Sequence, residues 1–88
     1  MNRYRVAINI APRRGILDPQ GKAVEGALHT LGFAAVREVH VGRYVVVELD
    51  AADDAGACRD AKAMCERLLA NPVTEDFEIA GITKTAAA

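Results

Sequence analysis

Hydrophobic and polar positions alternate at the start of the chain. Tyr4, Val6, Ile8 and Ile10 fall on one side, and Arg3, Arg5, Ala7 and Asn9 on the other. A period of two predicts a half-buried strand. Ala11-Pro12-Arg13-Arg14-Gly15 then breaks it, with proline and glycine as punctuation. Beyond Asp18 the period changes. Val24, Ala27, Leu28 and Leu31 recur at i, i+3, i+4 and i+7, the stripe of an amphipathic helix over Pro19 to Leu31. Asp18 is placed as its N-cap, and Pro19 sits at the first helical position, where a missing N–H costs nothing. Gly32 fits the left-handed position that closes such a helix.

The stretch AAVREVHVGRYVVVELD is rich in β-branched residues and has Gly42 in its middle. It predicts two strands joined as a hairpin near Val41-Gly42-Arg43. Tyr44 to Leu49 is almost continuously apolar, which predicts a central strand with both faces covered. Asp50, Asp53 and Asp54 open a second helix, since acidic groups favour the positive end of the helix dipole. Its stripe is Cys58, Ala61, Cys65 and Leu68, widened by Met64 and Leu69. Asn71-Pro72 ends it, because proline disfavours the helical region in the residue before it. Val73 to Ile82 reads as a last strand. A single domain over residues 1–82 is therefore expected, with 83–88 as a frayed tail.

The order β-α-β-β-α-β defines an α+β fold. Right-handed split crossovers turn it into a ferredoxin-like four-stranded antiparallel sheet with both helices on one face. The other face is left bare. For 88 residues, a chain that buries only about 60–65% of its unfolded surface, a face-to-face dimer is the simplest cover for it.

Composition narrows the function classes. The hydrophobic fraction of 51% is too high for a disordered chain. No apolar run is long enough for a membrane span, and the N-terminus lacks the core of a secretory signal, so a cytoplasmic location is expected. Eleven basic against twelve acidic residues give a net charge of −1, which disfavours a general nucleic-acid binder. With no Trp, two Tyr and two Phe, the sheet lacks the aromatics of a base-stacking platform. Cys58 and Cys65 are stacked two helical turns apart, too far for a disulfide and too sparse for a metal site. They read as free thiols in a reducing compartment.

Three sets of residues carry conceivable chemistry. His29 and His40 have no serine or cysteine with a matching geometry beside them, and read as surface or interface histidines. Glu75 and Asp76 are neighbours on a strand, so they point to opposite faces and cannot act as one carboxylate pair. Arg3, Arg5, Arg13 and Arg14 could hold an anion, but are equally served by solvent. The segment Gly15 to Lys22 lacks the phosphate-loop sequence, and no dinucleotide fingerprint occurs. No catalytic, cofactor-binding or metal-ligating residue is assigned. Gly21 lies in the first turn of the helix at a cost of about 1 kcal/mol relative to alanine. A glycine kept there implies the close approach of another backbone, expected to be a partner chain.

Two blocks go further. GILDPQGKAVEGALHTLGF and MCERLLANPVTEDFEI, with Val41-Gly42 between them, resemble the PurS family, the small subunit of phosphoribosylformylglycinamidine synthase. The resemblance runs from Arg3 to about Ile79. Arg43 departs from the usual lysine, Thr74 from a larger aliphatic residue and Phe77 from tyrosine. The resemblance implies a small subunit that joins a glutaminase subunit to a large synthetase subunit in purine biosynthesis. ATP and Mg are then expected on the synthetase, with none in this chain. It also implies a homodimer or tetramer, support for ammonia transfer, and no catalytic residues here. The expected subunit-interface residues are Asp18, Gln20, Gly21, Lys22, Gly42, Arg43, Asn71, Pro72 and Glu75. The alternative is a ferredoxin-like regulatory module that binds a small ligand.

Overall fold

The structure, a computed structural model, describes residues 1–85. The alternation at the N-terminus forms strand β1, Asn2–Pro12, which buries Tyr4, Val6, Ile8 and Ile10. β1 is the middle of a three-stranded antiparallel sheet, flanked by β2, Arg43–Ala51, and β3, Glu75–Lys84. Val6 lies opposite Val47 and Ile82, and Ile8 opposite Val45 and Ile79. Side chains alternate between faces along each strand, so this register lays one apolar face across the whole sheet. A register shift in β3 leaves Ala80 between the partners of Ile8 and Ala7. β3 runs on to Lys84, and Thr85 donates its N–H to the Arg3 carbonyl at 2.8 Å. Residues 83–85 are therefore sheet and sheet edge rather than tail, and residues 86–88 of the expected tail lie outside the described residues.

Helix α2, Asp54–Met64, covers the apolar face. Asp53 caps it by accepting the Gly56 N–H at 2.8 Å. Its buried residues are Gly56, Ala57 and Ala61, and Cys65 just beyond it continues the four-residue spacing of Ala57 and Ala61, all small enough to let the helix lie close to β1. The expected stripe through Cys58 and Leu68 is displaced. Cys58 is half-buried and Leu68 is 82% exposed. At Leu68 the cause is a π-helical turn over Cys65–Leu69, closed by the Ala70 N–H on the Cys65 carbonyl at 3.0 Å. Its extra residue breaks the 3.6 phase, swings Leu68 into solvent and brings Ala70 into the core.

Helix α1, Pro19–Thr30, forms as the spacing predicts, with Asp18 as N-cap. Its end is a Schellman motif. The Phe33 N–H reaches the Leu28 carbonyl and the Gly32 N–H the His29 carbonyl, both at 3.0 Å, around Gly32 at φ +100°. The packing of helix on sheet, however, is carried by α2 and not by α1. Gly21 is the single buried residue of α1, and Val24 and Leu31 of its apolar stripe are exposed.

Two expectations are corrected here. The sheet has three strands and not four, because residues 36–42 pair with no strand. They make neither turn nor bend, and lead straight into β2. A two-residue hairpin at this point needs positive φ, which Gly42 does not adopt. β2, expected to be central, is consequently an edge strand with Tyr44 exposed on its outer face. The three strands stand in the order a split β-α-β-β-α-β sheet gives its third, first and fourth members. The second member is the missing one. The chain measures 51 × 27 × 14 Å, with a radius of gyration of 16.7 Å. A compact chain of this length has about 12 Å. The excess is the arm made of α1 and its return segment.

Candidate functional site

The residues expected at a subunit interface gather in two places, with Gly42 between them. The first is a latch at the start of α1. Asp18 Oδ1 accepts the Gly21 N–H at 3.0 Å, as an N-cap does. Its Oδ2 accepts the Val41 N–H at 2.9 Å, 23 residues along the chain. One carboxylate thus starts the helix and fastens the return segment to it. Its side chain is only 9% exposed, and the His40 imidazole Nδ1 lies 4.0 Å from Oδ2. Farther along the arm, His29 Nε2 meets the Val36 carbonyl at 2.7 Å. Gly21 completes the latch. A Cβ built there would stand 2.0 Å from the Val39 carbonyl oxygen. The close backbone that the glycine implied is real, but it belongs to the same chain and not to a partner. Gln20 and Lys22 are exposed, with Lys22 Nζ 3.8 Å from Glu25 Oε1.

The Gly21 and Val41 amides hold the Asp18 carboxyl below its ordinary value of 3.8. A lowered folded-state value means that the stabilisation is present above the unfolded value and is lost as pH falls through the folded one. Acid titration should therefore leave the latch intact down to about pH 4 and release it below that. The Asp18→Asn variant should lose this component of the acid transition, as followed by urea midpoints at successive pH values.

The second place is the end of the sheet, where β3 begins. Arg43 Nη2 contacts Glu75 Oε1 at 2.6 Å, across the end of β1. The same oxygen accepts the Asn71 N–H at 2.9 Å, and Asn71 Oδ1 accepts the Val73 N–H at 3.0 Å. Arg13 stands beside this cluster. Its Nη2 donates to the Pro72 carbonyl at 2.8 Å, its Nε to Asp76 Oδ1 at 3.2 Å, and its backbone N–H to the Thr74 carbonyl at 2.7 Å. Together these bonds pin the connection from α2 into β3. Arg43 is therefore not a hairpin tip reaching outward but a strut within its own chain. With its side chain 53% exposed, Arg43→Ala should cost no more than about 1 kcal/mol. A chemical-denaturation midpoint will read that loss. Spacing could not reveal Arg13 or the Val39 and Val41 backbone as partners, because these contacts are long-range and two of the partner groups are main chain.

Gly42 lies beside β1. A Cβ on it would meet the Ile10 carbonyl oxygen at 2.3 Å. The strand pair β1–β2 thus begins one residue after a point where only hydrogen fits.

Cys65 is buried, and desolvation pushes its thiol above the ordinary value, with the Glu66 charge adding to it. A thiol held protonated is a poor nucleophile. Cys58 and Cys65 are both free. Asp18, Glu75, Arg13 and His29 each engage at least one polar atom with backbone groups or ion pairs of the same chain. Among the described residues no three His, Cys, Asp or Glu side chains converge as a metal cage, and no helix is long and apolar enough to cross a membrane.

Comparison with known proteins gives one consistent answer. The profile of the family described as "PurS: Phosphoribosylformylglycinamidine (FGAM) synthase" matches residues 5–82. The chain is 40% identical over 74 residues to the phosphoribosylformylglycinamidine synthase subunit PurS of Synechocystis sp., covering 84% of this chain and 74% of that one. Its fold superposes on Thermus thermophilus PurS with a TM-score of 0.81 at 42% identity, covering 94% of this chain and 98% of that one. It also superposes on a chain of the PurLQS structure from Thermotoga maritima, with a TM-score of 0.80 at 28% identity and coverage of 97% and 100%.

Proposed function

This chain belongs to the PurS family, and we propose on that premise that it is the small, non-catalytic subunit of phosphoribosylformylglycinamidine synthase in purine biosynthesis. In this reading it bridges the glutaminase and the ATP-dependent synthetase subunits and supports the passage of ammonia between them. ATP and Mg bind the synthetase, and the chain itself is a homodimer or a tetramer. The observation that carries the reading is the full-length match to a chain of PurLQS, an assembly by its own name. The site geometry supports it as well. Asp18, Glu75 and Arg13 are occupied in fastening the arm and pinning the entry to β3.

Mixing the purified chain with the glutaminase and synthetase subunits of its own organism tests the bridging role. Light scattering should show a complex holding all three, and the two larger subunits should separate when this chain is withheld. A stable complex of the two larger subunits alone would remove the bridging role.

A further inference from the structure

No further inference is drawn: the strongest candidate, the cavity of about 150 Å³ lined by Cys65, Ala70, Phe77, Glu66, Asp76 and Arg13 at the end of the sheet where β3 begins, carries nothing because nothing in the structure shows what covers it.

Discussion

Gly21→Ala is expected to destabilise the chain by about 2–3 kcal/mol, although alanine is the better helix former by about 1 kcal/mol. The added methyl would stand 2.0 Å from the Val39 carbonyl and 2.5 Å from Asp18 Oδ2. Neither is the free end of a flexible side chain. One is backbone, and the other is the oxygen that holds the Val41 N–H. Relief requires the return segment to lift off α1, which breaks the latch. Gly26 supplies the control in the same helix, because a Cβ there meets nothing within 4 Å. Gly26→Ala should stabilise by up to about 1 kcal/mol. Thermal unfolding of both variants checks the pair. A rise in Tm for both would mean that the return segment does not lie against α1.

Gly42→Ala is the second large effect, again about 2–3 kcal/mol. The methyl would enter the Ile10 carbonyl, with Ala11 Cα close behind. Both are main chain of β1, the central strand, which the flanking pairings hold in place. The matched control is Gly81 in β3, which is open around the missing Cβ. Gly81→Ala should raise stability by roughly 0.5–1 kcal/mol, the ordinary gain where a strand glycine is replaced. Urea unfolding should move the two midpoints in opposite directions. Equal gains would show that residues 36–42 leave β1 before Gly42.

The Gly21 contrast also marks where the sequence was informative. Period-two and period-3.6 patterns located β1, α2 and β3, because each buries one side of a regular element, and located α1 although Val24 and Leu31 of its stripe are exposed. Capping chemistry placed Asp18, Pro19 and Gly32 to the residue, since those roles depend on local backbone geometry alone. The cost of Gly21 signalled a close backbone correctly, but nothing local says whose backbone it is. Residues 36–41 carry the composition of a strand, yet whether they pair depends on a partner edge that this chain does not bring to them. Leu68 misled for another reason. A π-turn shifts the helical phase, and composition does not announce it. Of the interface candidates, Asp18, Gly21, Gly42, Arg43, Asn71, Pro72 and Glu75 act first within the chain. Lys22 pairs with Glu25 on the surface, and Gln20 is exposed.

The most direct measurement is turnover by the glutaminase and synthetase subunits of the same organism, with this chain present and withheld. If the chain is the bridging subunit, withholding it should abolish turnover driven by glutamine and leave turnover on added ammonium salt. Adding it back should restore the glutamine reaction. Full glutamine-driven turnover in its absence would contradict the assignment.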